Sequence, residues 1–138
     1  MAAKRREVRE TAFILSFEKL FRDESIDDIV RISQEYDDFK IDDEAVRLVK
    51  GVLDKQDELD KIISGFSNKR SIERIPKINL AIIRLAIYEA MYDDKVPINV
   101  AISEAVALAQ KYAQEPDIAF INGVLGAFSR SKGASKDE

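Results

Sequence analysis

Apolar residues fill nearly every position of one stretch, KINLAIIRLAIYEAMY at 77–92. Within 78–92 the strongly polar residues are Asn79, Arg84 and Glu89, spaced five apart. An α-helix turns ~100° per residue, so these three project roughly 140° from one another and no polar face forms. A helix that is apolar on all sides is either a membrane span or the buried centre of a helical domain. This one is shorter than the ~20 apolar residues a bilayer requires, and it carries two charges. The pattern therefore predicts a central helix with others packed on every side, opened by Pro76, whose missing N–H is not needed in a first turn. Arg84 and Glu89 are expected at the ends of packing contacts or in pairs.

Helical periodicity recurs on both sides of this stretch. Over 6–22, Phe13, Phe17, Leu20 and Phe21 fall at i, i+4, i+7 and i+8, while Val8, Ala12 and Leu15 form a second stripe roughly opposite. A surface helix carries one apolar stripe. One of these two faces a core, and the other is either covered by a second lobe or offered to a partner. Ser25 with Asp28 resembles a capping box and opens a short helix to about residue 36. Ile41 and Val46 flank Asp42 as a staple around an N-cap. The helix that follows is expected to run unbroken to Ser64, with Gly65 as a left-handed C-cap. Residues 71–75 read as one turn. A helix from about Asn99 to Ala113 is stopped by Pro116, and Asp117 is expected to N-cap a last helix to about Arg130. Gly123 and Gly126 each cost up to ~1 kcal/mol inside a helix, which implies close approach of another backbone. Residues 131–138 read as a disordered tail. With no strand pattern and no repeat, the prediction is an all-α single domain of six or seven helices. An N-terminal lobe (1–68) and a C-terminal lobe (69–130) form two small bundles around the central helix.

Composition narrows the chemistry. Cysteine and histidine are both absent. That removes disulfides and thiolate ligands, together with the commonest general base and metal ligand. The adjacent acids Asp27/Asp28, Asp37/Asp38, Asp42/Asp43 and Asp93/Asp94 stand at helix starts or turns, where acids are favoured anyway. Neighbouring side chains on a helix diverge, so these pairs do not make a catalytic dyad. No phosphate-binding loop, dinucleotide fingerprint, zinc-protease, serine-hydrolase or EF-hand spacing occurs. The chain is expected to be no enzyme and to need no cofactor or metal. Without a signal peptide or span, it reads as cytoplasmic, with no membrane partner.

Charge supplies the positive indication. The first nine residues carry Lys4, Arg5, Arg6 and Arg9 against Glu7, a local +3, so with −4 overall the remainder is −7. A basic arm on an acidic body fits two partners of opposite sign. Cations at a helix start oppose the macrodipole, which gives a ligand for them more weight against plain solvation. Arginine holds phosphate bidentately, and Lys4 adds charge without that geometry. Phe17 and Phe120 read either as core residues or as platforms for unpaired bases.

Three pieces of the second half, RIPKINLAIIRLAIYE (74–89), VPINVAISEAVALAQKY (96–112) and FINGVLGAF (120–128), resemble the NusB family of transcription antitermination factors in order and spacing, and the arginine-rich start RREVRETAF extends the likeness to nearly the whole chain. The resemblance implies an all-helical fold of two bundles. It also implies a non-enzymatic factor that binds the single-stranded boxA segment of ribosomal RNA leaders together with ribosomal protein NusE, and joins the RNA polymerase antitermination complex. Carried over residue by residue, it places Lys4, Arg5, Arg6, Arg9 and Phe120 on RNA, and Phe17, Phe21, Glu73 and Asn79 toward NusE. Departures are Asn79 in place of an acid, Ser103 in place of Asn, Gln110 in place of Lys, and no Trp near residue 70. The same fold also occurs fused to ribosomal RNA methyltransferases. The alternative is thus a self-associating RNA-targeting module, and monomer or homodimer stays open.

Overall fold

The computed structural model describes residues 2–37, 41–67 and 71–136, with side chains over 5–35, 41–67 and 71–131. Of the run 37–40, expected to connect two helices, residues 38–40 lie outside the described residues, as does the side chain of Lys4. Seven α-helices and one 3-10 turn make up the chain, with no strand among the described residues: α1 (Ala2–Lys19), α2 (Ile26–Asp37), α3 (Asp43–Asp54), α4 (Gln56–Phe66), the turn Ile72–Arg74, α5 (Lys77–Tyr92), α6 (Ile98–Tyr112) and α7 (Glu115–Lys136). They form two compact units, Met1–Asp54 and Lys55–Glu138.

In the first unit α1, α2 and α3 pack on one another. Ser25 Oγ accepts from the Asp28 N–H at 3.1 Å, the N-terminal half of the expected capping box. Asp42 Oδ1 accepts from the Glu44 N–H at 2.8 Å at the start of α3. Buried Ile29, Ala45, Val49 and Val52 give the unit its apolar interior.

In the second unit α4, α6 and α7 pack on α5. Leu80, Ile83 and Ile87 are buried, as are Asn79, Arg84 and Glu89. Burying the Arg84 guanidinium is tolerable because Asp60 on α4 receives it bidentately, Nε to Oδ1 and Nη2 to Oδ2, each at 2.8 Å.

Several expectations are corrected. The lobes divide at Asp54/Lys55 rather than at 68/69, because α4 packs on α5 and α7 and is clamped to α5 by Asp60. The helix expected to run through to Ser64 is interrupted at Lys55. Gly65 is not a left-handed cap: α4 winds through it to Phe66, whose ring meets Phe128 edge-on at 6.4 Å. Asp117 does not cap α7, which begins two residues earlier at Glu115, with Pro116 in the first turn where its missing N–H is harmless. The tail expected from 131 continues α7 to Lys136, since nothing in SRSKGASK stops a helix outright. Among the described residues no other backbone comes within 4 Å of where a Cβ would stand on either glycine. A Cβ at Gly123 would meet nothing within 4 Å, and one at Gly126 would meet Arg130 Nη1, the far end of a flexible side chain, at 3.3 Å.

Candidate nucleic-acid interface

The candidate residues fall on both units. In the first, α1 starts at Ala2, so the basic cluster is wound into the helix rather than trailing from it as an arm. Its arginines differ in environment. Arg6 is exposed and Arg5 half-buried, whereas Arg9 is 5% exposed. Arg9 shares a face with Arg5, Ala12 and Ser16, and Ala12 is fully buried. Arg9, expected on phosphate with Arg5 and Arg6, is thus far more enclosed than either. Its guanidinium lies on the interior side of α1, and Arg5 and Arg6 are the described arginines of the cluster with surface to offer. Arg6 lies near Phe13 and Phe17 in helical phase, so cation and aromatic edge run along one side of the helix.

That aromatic edge is continuous. Phe13 and Phe17 have ring centroids 6.2 Å apart, and Phe17 and Phe21 meet edge to face at 5.1 Å. Along it burial falls from Phe13, buried, through Phe17, half-buried, to Phe21, which is 61% exposed. The second stripe of α1, with Val8, Ala12 and Leu15, is the buried one. Beyond α1, Arg22 donates to Glu18 at 2.8 Å and to Glu24 at 2.9 Å. Those bonds, with Glu24 the stronger cause, hold the guanidinium above its ordinary value, and the bond from Arg22 holds Glu24 below the usual carboxylate range.

In the second unit Phe120 is half-buried on α7, and Ala119, Asn122 and Gly123 beside it are exposed. Glu73 is exposed in the 3-10 turn. Asn79, expected toward NusE, is enclosed. It is 0% exposed, and its Nδ2 donates to Asp117 Oδ1 at 3.1 Å. A residue with no surface cannot meet a partner directly. The pairings Arg84–Asp60 and Asn79–Asp117 were not read from the sequence. The available signal was the isolated polar residue in an apolar helix, which demands a partner without saying which. Among the described residues no group of three His, Cys, Asp or Glu could hold a metal ion, and no helix is long and apolar enough to cross a membrane.

Residues 6–130 match the family model described as the NusB family. The chain belongs to the NusB family. The transcription antitermination protein NusB of Acetivibrio thermocellus is 41% identical over 135 residues, covering 96% of this chain and 93% of its own length. That of Thermoanaerobacter sp. (strain X514) is 46% identical over 90 residues, a match spanning 65% of this chain but only 64% of that relative's length. A solved structure of the antitermination factors NusB and NusE in complex with dsRNA aligns with a TM-score of 0.81 at 27% identity, over 95% of this chain and 99% of the aligned one. The NusB fold is thus shared along nearly the whole chain.

Proposed function

We propose that this chain is a non-enzymatic, RNA-binding antitermination factor acting with a NusE-type ribosomal protein. The observation that carries the reading is the full-length likeness to a NusB that is in complex with NusE and dsRNA, and two surface features support it. Arg5 and Arg6 stand in the first turns of α1, where the macrodipole favours anions and disfavours cations, so phosphate is a better neighbour for them than the helix itself. Phe120 offers a partly open ring on α7, suited to stack on a base. The exposed end of the Phe13–Phe17–Phe21 edge receives the protein partner. Glu73 adds a carboxylate that suits a basic ribosomal protein. The boxA segment of a ribosomal RNA leader is the RNA, and the assembly joins RNA polymerase.

The test is a binding titration of boxA-like RNA, with and without NusE, at two salt concentrations. Arg5→Ala/Arg6→Ala is expected to weaken binding and to flatten the log–log salt slope by ~0.7 per lost contact on a single strand, or ~0.9 on a duplex. An unchanged slope rejects the α1 arginines as the RNA site. Phe21→Asp is expected to abolish capture of NusE with helix content retained; undiminished capture rejects that edge.

A further inference from the structure

A side-chain hydrogen bond joins the beginning of α7 to α5. None of residues 114–120 is buried, and the buried run of α7 starts at Ile121 and continues through Val124, Leu125 and Phe128. Within the unburied part, half-buried Asp117 accepts from Asn79 Nδ2 at 3.1 Å. Asn79 belongs to α5, the most thoroughly buried helix of the chain. The bond joins the opening turn of α7 to a helix that is buried along most of its length.

The two ends of the Asn79 amide differ in their surroundings. Its Oδ1 is buried and meets no hydrogen-bond donor among the described residues, and an unmet buried acceptor costs free energy that an apolar side chain there would not. What the amide contributes lies at its other end. Asp117 and Phe120 are three residues apart and so are neighbours on one face of α7. Fixing Asp117 fixes the direction in which the turn presents Phe120.

We propose that Asn79 is a positioning residue: acting through Asp117, it holds Phe120 in the orientation that receives RNA. This rests on the RNA-binding reading above.

Asn79→Leu removes the bond together with the unmet acceptor, so its melting temperature is expected to hold or rise. Its affinity for boxA-like RNA is expected to fall about fivefold, the loss of roughly one hydrogen bond of restraint. Backbone amides 118–120 are expected to exchange faster. Asp117→Asn and Asp117→Ala both lose the carboxylate charge, so comparing them isolates the bond. The Asn variant, which still offers an acceptor to Asn79, is expected to bind RNA about fivefold tighter than the Ala variant. Equal affinities in that comparison, with Asn79→Leu binding like wild type, overturn the proposal. So does an affinity loss that only follows a fall in melting temperature, since that marks a structural role. If the wild-type chain itself does not bind the RNA, the failure belongs to the RNA-binding reading instead.

Discussion

Helices α1 and α5 are written in similar terms, with apolar residues on more than one side, and they end in different states. α5 buries eleven of its sixteen residues, including all three polar ones that interrupt it. α1 buries Val8, Ala12, Phe13 and Leu15 and leaves Ile14 44% exposed, and Phe21, two residues beyond its end, is 61% exposed. The difference teaches that periodicity reports how much apolar surface a helix carries, while the fold decides how much of it is covered. What α5 carries is consumed as core. What α1 and the turn after it have left over stays in contact with solvent.

The contrast is broken most severely at the polar link that lets α5 be buried. Asp60→Ala leaves the Arg84 guanidinium, 7% exposed, without its carboxylate. Removing one partner of such a pair is expected to destabilise the fold by about 3–5 kcal/mol, read as a shift in urea midpoint. Asp60→Asn retains an acceptor and should lose less. A cost within ~0.5 kcal/mol, the usual range for a surface change, would show that Arg84 finds water or another acceptor.

The contrast is sharpened by truncating one apolar residue of α5 and one at the exposed end of the aromatic edge that α1 begins. Ile83→Ala opens a cavity in a fully buried site and is expected to cost about 2–4 kcal/mol. Phe21→Ala removes a larger side chain, yet one that is mostly in water and meets Phe17 edge to face at 5.1 Å. It is expected to cost under ~1 kcal/mol. Comparable losses at the two positions would mean that the α1 edge belongs to the core and is not spare.

These differences also mark how far the sequence could be read. The burial of α5 was legible because three polar residues at five-residue spacing leave no face for solvent. The capping role of Ser25 was legible because it depends on residues a turn away. The break at Lys55 was not. The buried positions Ala45, Val49, Val52, Leu59 and Ile63 are spaced four, three, seven and four apart, which is one uninterrupted helical stripe, so the pattern reads straight across a backbone change that it does not encode. The partners of Arg84 and Asn79 lie 24 and 38 residues away, and spacing within a helix says nothing at that range. For the candidate site, the sequence gathered the four cations near the amino terminus but could not separate Arg6, exposed, from Arg9, buried three residues later. That distinction depends on which side of α1 faces inward.

The smallest effect is expected where α5 ends and solvent begins. Tyr92, 37% exposed, is the last residue of α5. Its hydroxyl bonds the Glu58 carboxylate, and that bond, with burial and the Glu58 charge behind it, pushes its pKa up to about 12 from 10.0. Lys55 Nζ lies 5.4 Å from the centre of its ring. Because the folded chain holds this proton more tightly than the unfolded one, the stabilisation is fully present below pH 10 and is lost as pH rises through about 12. Tyr92→Phe removes the hydroxyl and with it this contribution. Urea unfolding of both proteins across that window is expected to show the wild type's advantage shrinking as pH rises toward 12, and a constant difference would mean that the Tyr92–Glu58 bond does not contribute to stability. The outcome bears on the comparison of the two helices, because it measures how far a polar contact at the solvent-exposed end of α5 still contributes to a helix whose middle is held by core.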